Sequence, residues 1–69
     1  MVDSRKLKAR ILLAGYTSQR TLAKDAGMSV NSLNAKINGR RPFSCDEAET
    51  LCSVLNITSA EEKADIFLS

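Results

Sequence analysis

The chain has 69 residues, 43% of them hydrophobic and 26% charged, with no histidine and two cysteines. That length supports one domain with a small core, and the balance of apolar and charged residues excludes a disordered chain. The formal net charge of +2 conceals a division: residues 1–41 hold nine basic and two acidic side chains, whereas residues 42–69 hold one basic and six acidic. The asymmetry leads us to expect a polyanion opposite the first part and none opposite the second, the plain alternative being charges clustered on solvated helix faces.

No apolar run approaches the roughly 18 residues of a membrane span, and the N-terminus lacks the long apolar segment of a signal peptide, so an intracellular protein is expected. In chain order, Asp3 or Ser4 can cap a first helix over about residues 4–14, with Leu7, Ile11 and Ala14 on one stripe and Gly15 as its stop. Thr17 or Ser18 can cap a short second helix, where Leu22, Ala23 and Ala26 share a face ahead of Gly27. Ser29 follows Gly27 so closely that the chain must turn sharply and restart. The third helix buries Leu33 and Ile37 and ends at Asn38-Gly39.

Beyond the basic loop Arg40-Arg41-Pro42, Ser44 and Glu47 have capping-box spacing for a fourth helix, with Ala48, Leu51, Cys52 and Leu55 as its stripe and Asn56 as its stop. Thr58 and Glu61 repeat that spacing before a short fifth helix marked by Ala60, Ala64, Phe67 and Leu68. No segment alternates as a half-buried strand does, so the expectation is a compact all-α domain of five helices. Cys45 and Cys52 fall on one helix with their Cα atoms roughly 10 Å apart, too far to bridge, and Cys52 belongs to the apolar stripe. Without histidine or a paired-cysteine motif there is no zinc ligand set, no nucleophile has a base partner, and no glycine loop is built to cradle phosphate. Neither an enzyme, a cofactor nor a small-molecule substrate is therefore expected.

The informative segment is residues 19–38, QRTLAKDAGMSVNSLNAKIN. Two helices can cross steeply through so short a turn only if a small residue lies at their contact and a glycine relieves the turn. Ala23 and Gly27 meet those needs. In Gln19, Leu22-Ala23, Gly27, Ser29, Leu33 and Ile37-Asn38-Gly39, followed by the basic loop and the acidic fourth helix, the chain resembles the lambda-repressor-like helix-turn-helix family that includes Cro and the phage repressors. The ending Asp65-Ile66-Phe67-Leu68 is similar to that of many small phage regulators, and Lys36 stands where an apolar residue is frequent, with Ile37 taking the burial.

The resemblance implies one domain over residues 1–69, with the helix-turn-helix at about 18–38 and the third helix lying in a DNA major groove. It further implies a small transcriptional regulator, Cro-like and repressing, in the cytoplasm of a bacterial or phage-infected cell, with double-stranded operator DNA as partner and a homodimer as a natural form on DNA. The alternative is an antirepressor or adaptor on the same fold, in which Ile66, Phe67 and Leu68 serve as a contact surface rather than as core or as a dimer seam.

A helical wheel bears on the first reading independently: opposite Leu33 and Ile37 stand Asn31, Ser32, Ala35 and Asn38, flanked by Asn34 and Lys36. Asparagine can pair with adenine N6 and N7, which makes Asn31 and Asn34 candidates for base reading, and Val30 and Ala35 can meet a thymine methyl. Each has the simpler role of solvation or packing as its alternative. Carried over from the family, the phosphate contacts are Gln19, Ser29, Ser32, Asn38, Arg40 and Arg41; Lys36 joins them on charge alone. Arg10 is expected instead to pair with a carboxylate of the fourth or fifth helix.

Overall fold

The computed structural model describes residues 2–68. Five helices follow one another: α1 (Ser4–Leu13), α2 (Gln19–Ala26), α3 (Val30–Ile37), α4 (Cys45–Val54) and α5 (Ala60–Phe67). At eight to ten residues each, none is long enough to persist alone in water, so their stability has to come from caps and mutual packing.

Every helix begins in the same way. The side chain of Asp3, Ser18, Ser29, Ser44 or Ser59 accepts a hydrogen bond from the backbone N–H three residues on, satisfying a donor that the helix itself cannot. Each such cap stabilises by about 1 kcal/mol. Ser44 and Glu47 complete a reciprocal box, with Ser44 N–H donating to Glu47 Oε1 at 2.9 Å and Glu47 N–H to Ser44 Oγ at 3.1 Å.

Four of the five exits, those of α1 to α4, also share a pattern built on a left-handed residue. At the end of α2, Gly27 N–H donates to Lys24 O and Met28 N–H to Ala23 O at 2.9 Å, two bonds that require a left-handed residue between them. Gly27 supplies it at φ +70°. The matching pair after α4 runs from Asn56 to Ser53 O and from Ile57 to Cys52 O, with Asn56 itself at φ +58°, a conformation asparagine tolerates better than most residues.

The core joins Leu7 and Ile11 of α1, Leu22 and Ala23 of α2, Leu33 and Ile37 of α3, Leu51 and Cys52 of α4, Leu55 and Ile57 just beyond it, and Ile66 of α5. α2 packs on α3 and α4, while α1 packs on α3 and α5. Ala23, fully buried, is the small residue that the steep crossing of α2 and α3 demands. Further ties fix the periphery: Asp3 N–H donates to Ile66 O at 2.6 Å, and the rings of Phe43 and Phe67 meet edge to face at 5.4 Å, holding the loop before α4 against α5.

Two expectations need correction. Helix α1 stops at Leu13, and Ala14, expected in its apolar stripe, is an exposed cap residue. More consequentially, α5 is capped by Ser59, whose Oγ accepts from Glu62 N–H, and not by Thr58 with Glu61. The expected stripe is also not the buried one: Ala60 and Ala64 are exposed, Leu68 is 78% exposed, and burial falls to Ile66, with Ile57 of the preceding link 2% exposed. Ile66 thus closes the core, Phe67 is half-buried and Leu68 contributes nothing to it.

Candidate nucleic-acid interface

Helix α3 is anchored by Leu33 and Ile37, which are wholly buried, so the opposite face of the helix is turned outward. Val30, 37% exposed, and Asn31 stand at its N-terminal end; Ser32 and Ala35 are half-buried; Asn38 is exposed at the far end. No carboxylate belongs to α3. Ser29 is exposed and caps the helix, its Oγ accepting from Ser32 N–H at 3.2 Å, which leaves its hydroxyl proton to donate outward.

Four residues expected as separate contacts form one network instead. Asn34 Nδ2 donates to Gln19 Oε1 at 3.0 Å, which bridges α3 to the first residue of α2. Asn34 Oδ1 accepts from Asn38 Nδ2 at 2.9 Å and from Arg40 Nη2 at 3.0 Å. Asn38 Nδ2 also donates to the backbone oxygen of Asn34 at 3.0 Å. Both ends of the Asn34 amide are therefore engaged inside the protein, an arrangement at odds with simultaneous pairing to adenine. Asn38 likewise spends its amide nitrogen on Asn34, within the protein.

Lys36 departs from expectation as well. Its ammonium forms a short hydrogen-bonded ion pair with Glu47 Oε2, and only 14% of its side chain is exposed. The lysine that occupies a commonly apolar position is accommodated by that partner. Glu47 gains too: the Lys36 ammonium, and then the Ser44 backbone N–H, hold its carboxyl below the usual glutamate range.

The remaining cations divide by partner. Lys6 pairs with Asp65 at 2.6 Å and Arg10 with Glu62 at 3.3 Å, so two basic residues of α1 serve to hold α5, as was expected for Arg10. The Asp65 hydrogen bond raises the Lys6 pKa. Among the described residues, Arg40 and Arg41 form no ion pair, and both are exposed. The same holds for Arg20 and Lys24 of α2, which are not among the expected phosphate contacts. Asp25, the acidic residue of α2, accepts a 2.6 Å hydrogen bond from the Tyr16 hydroxyl, which pushes that hydroxyl's pKa up.

Chemically, this surface offers amides, hydroxyls, one small apolar strip and guanidinium groups, a set suited to base edges and phosphates. Cys45 is exposed and Cys52 buried, both as free thiols, and burial raises the pKa of Cys52. Among the described residues no group of three or more potential ligands could hold a metal ion, and no helix is long and apolar enough to cross a membrane.

Comparison with known proteins gives one family match. The family model described as the Cro/C1-type HTH DNA-binding domain matches residues 6–61, which take in most of α1, all of α2 to α4 and the start of α5. No curated protein and no solved structure matches the chain. With five helices in the expected order, a glycine-relieved turn between α2 and α3, and a family match over most of its length, the chain belongs to the Cro/C1-type helix-turn-helix DNA-binding domains.

Proposed function

We propose that the domain binds double-stranded operator DNA sequence-specifically and acts as a small, phage-type transcriptional repressor of the Cro kind. The observation that carries this reading is the outward surface of α3: it holds no carboxylate, presents Asn31 and Val30 at its N-terminal end, and is followed by Arg40 and Arg41 without acidic partners among the described residues. In the proposed complex that end of α3 enters the major groove. Asn31 reads an adenine, Val30 and Ala35 meet thymine methyl groups, and Gln19, Ser29, Ser32, Arg40 and Arg41 hold phosphates. Two copies on half-sites one helical turn apart would supply both affinity and specificity.

Titrations on operator and scrambled duplexes at several salt concentrations test the assignment. Asn31→Ala is expected to relax preference at one or two base pairs at a cost of about 1–3 kcal/mol, and Arg41→Ala to weaken all sequences while lowering the salt slope by about one. Equal losses on both duplexes for Asn31→Ala would remove its base-reading role. Absence of salt-sensitive binding to any duplex would favour an antirepressor or adaptor instead. Mapping the protected DNA and placing it upstream of a reporter then tests repression, expected as lower transcription in the presence of the protein.

A further inference from the structure

We propose that Asn34 reads no base: it is a positioning residue that braces Gln19 and Arg40 into a two-donor clamp for a single stretch of DNA backbone. The proposal rests on the DNA-binding reading above and deepens it. Its basis is the polarity of one amide. A guanidinium can only donate, so Asn34 Oδ1 has to face Arg40, and the 3.0 Å contact with Nη2 shows that it does. Asn34 Nδ2 is then directed at Gln19, where it donates to Oε1, again at 3.0 Å.

The consequence passes outward through both partners. With its oxygen occupied, Gln19 has its Nε2 and two N–H donors left to turn away from α3. Arg40, tethered by one nitrogen, keeps its remaining N–H groups for an anion. Asn38 fastens the brace from the other side by donating to both Asn34 Oδ1 and Asn34 O. Asn34 is half-buried, whereas Arg40 is exposed, so a fixed centre holds a group that would otherwise sample many rotamers. Donors from the start of α2 and from the loop after α3 are thereby set in advance on the same side of the molecule. Holding such donors in place before binding removes part of the ordering cost of association.

A positioning role differs from base reading and from simple helix support in what it couples to. Binding of operator and scrambled duplexes, followed by fluorescence anisotropy, is to be measured for the wild type and Asn34→Ala, and for the same substitution in a background carrying Gln19→Ala and Arg40→Ala. In the wild-type background we expect Asn34→Ala to weaken both duplexes by a similar factor, about tenfold; once the clamp is gone, we expect less than about a twofold further loss. Asn34→Ser, which also lacks the amide, provides a second variant should the alanine chain fold poorly, and urea unfolding monitors both. A loss confined to particular base pairs would overturn the proposal in favour of base reading by Asn34. A loss of equal size in both backgrounds would overturn it in favour of a purely structural role. Failure of the wild type to bind either duplex would instead strike down the DNA-binding reading itself, so the first titration separates the two failures.

Discussion

Helices α3 and α5 are alike in almost every local respect: each has eight residues, a serine at its N-cap and no acidic or basic residue inside its buried stripe. They differ in anchorage and in what they show to solvent. α3 is fixed by two fully buried side chains and packs on both α1 and α2, whereas α5 is fixed by Ile66 and packs on α1. Outward, α3 presents amides and hydroxyls while α5 presents Glu61, Glu62 and Asp65, two of them spent on ion pairs with α1. Similar caps and equal length thus make a helix in both places; what suits α3 to the proposed role is firmer burial on the inner side combined with uncharged polar groups on the outer one.

The sharpest way to break this comparison is to remove the anchors. Leu33→Ala should cost about 3–5 kcal/mol and Ile66→Ala about 2–3 kcal/mol in urea unfolding, because a cavity among several packed helices collapses less readily than one beneath a terminal helix. The reverse order would mean that α5, not α3, is the more tightly held element. Next in size is the carboxylate behind α3. Glu47→Gln, whose amide oxygen can keep the box with Ser44, should destabilise by about 1 kcal/mol at neutral pH through loss of the Lys36 pair. Since the folded carboxyl titrates below its ordinary value, that stabilisation is complete above the ordinary glutamate range and disappears as the pH falls through the lower folded value. Unfolding curves of wild type and variant should therefore converge in acid; a gap unchanged down to about pH 3 would dissociate Glu47 from the effect. The smallest change is expected for Asp65→Ala, which breaks a solvent-screened, exposed pair with Lys6 and should barely shift the urea midpoint while leaving DNA titrations unaltered. A clear loss of DNA binding there would blur the distinction between the two helices.

Much of the architecture was legible because its signals are local. Ser29, Gly27, the Ser44–Glu47 box and the spacing of Leu33 and Ile37 each act within a few residues, and the observed elements follow them closely. α5 was misread by one residue because Thr58-Ser59 and Glu61-Glu62 offer two overlapping capping signals, and only the burial of Ile57 and Ile66 decides between them. The candidate site was legible in outline and not in wiring. Asn34 meets Gln19 across 15 positions and Lys36 meets Glu47 across 11, distances at which helical periodicity carries no information. Charge counts misled for the same reason: Lys6, Arg10 and Lys36 enlarge the basic half of the sequence, yet each is neutralised by a carboxylate that the fold brings alongside.

The link between α2 and α3 has no spare residue. Gly27 turns the chain, Met28 ties back to Ala23 and packs against the core, and Ser29 starts the next helix. A joint so fully employed cannot swivel, so in the proposed complex the heading of α3 is set before any duplex arrives. Adjustment on binding would then fall to the nucleic acid, and sequences that bend or twist readily towards this fixed template would be favoured even at positions no side chain reaches.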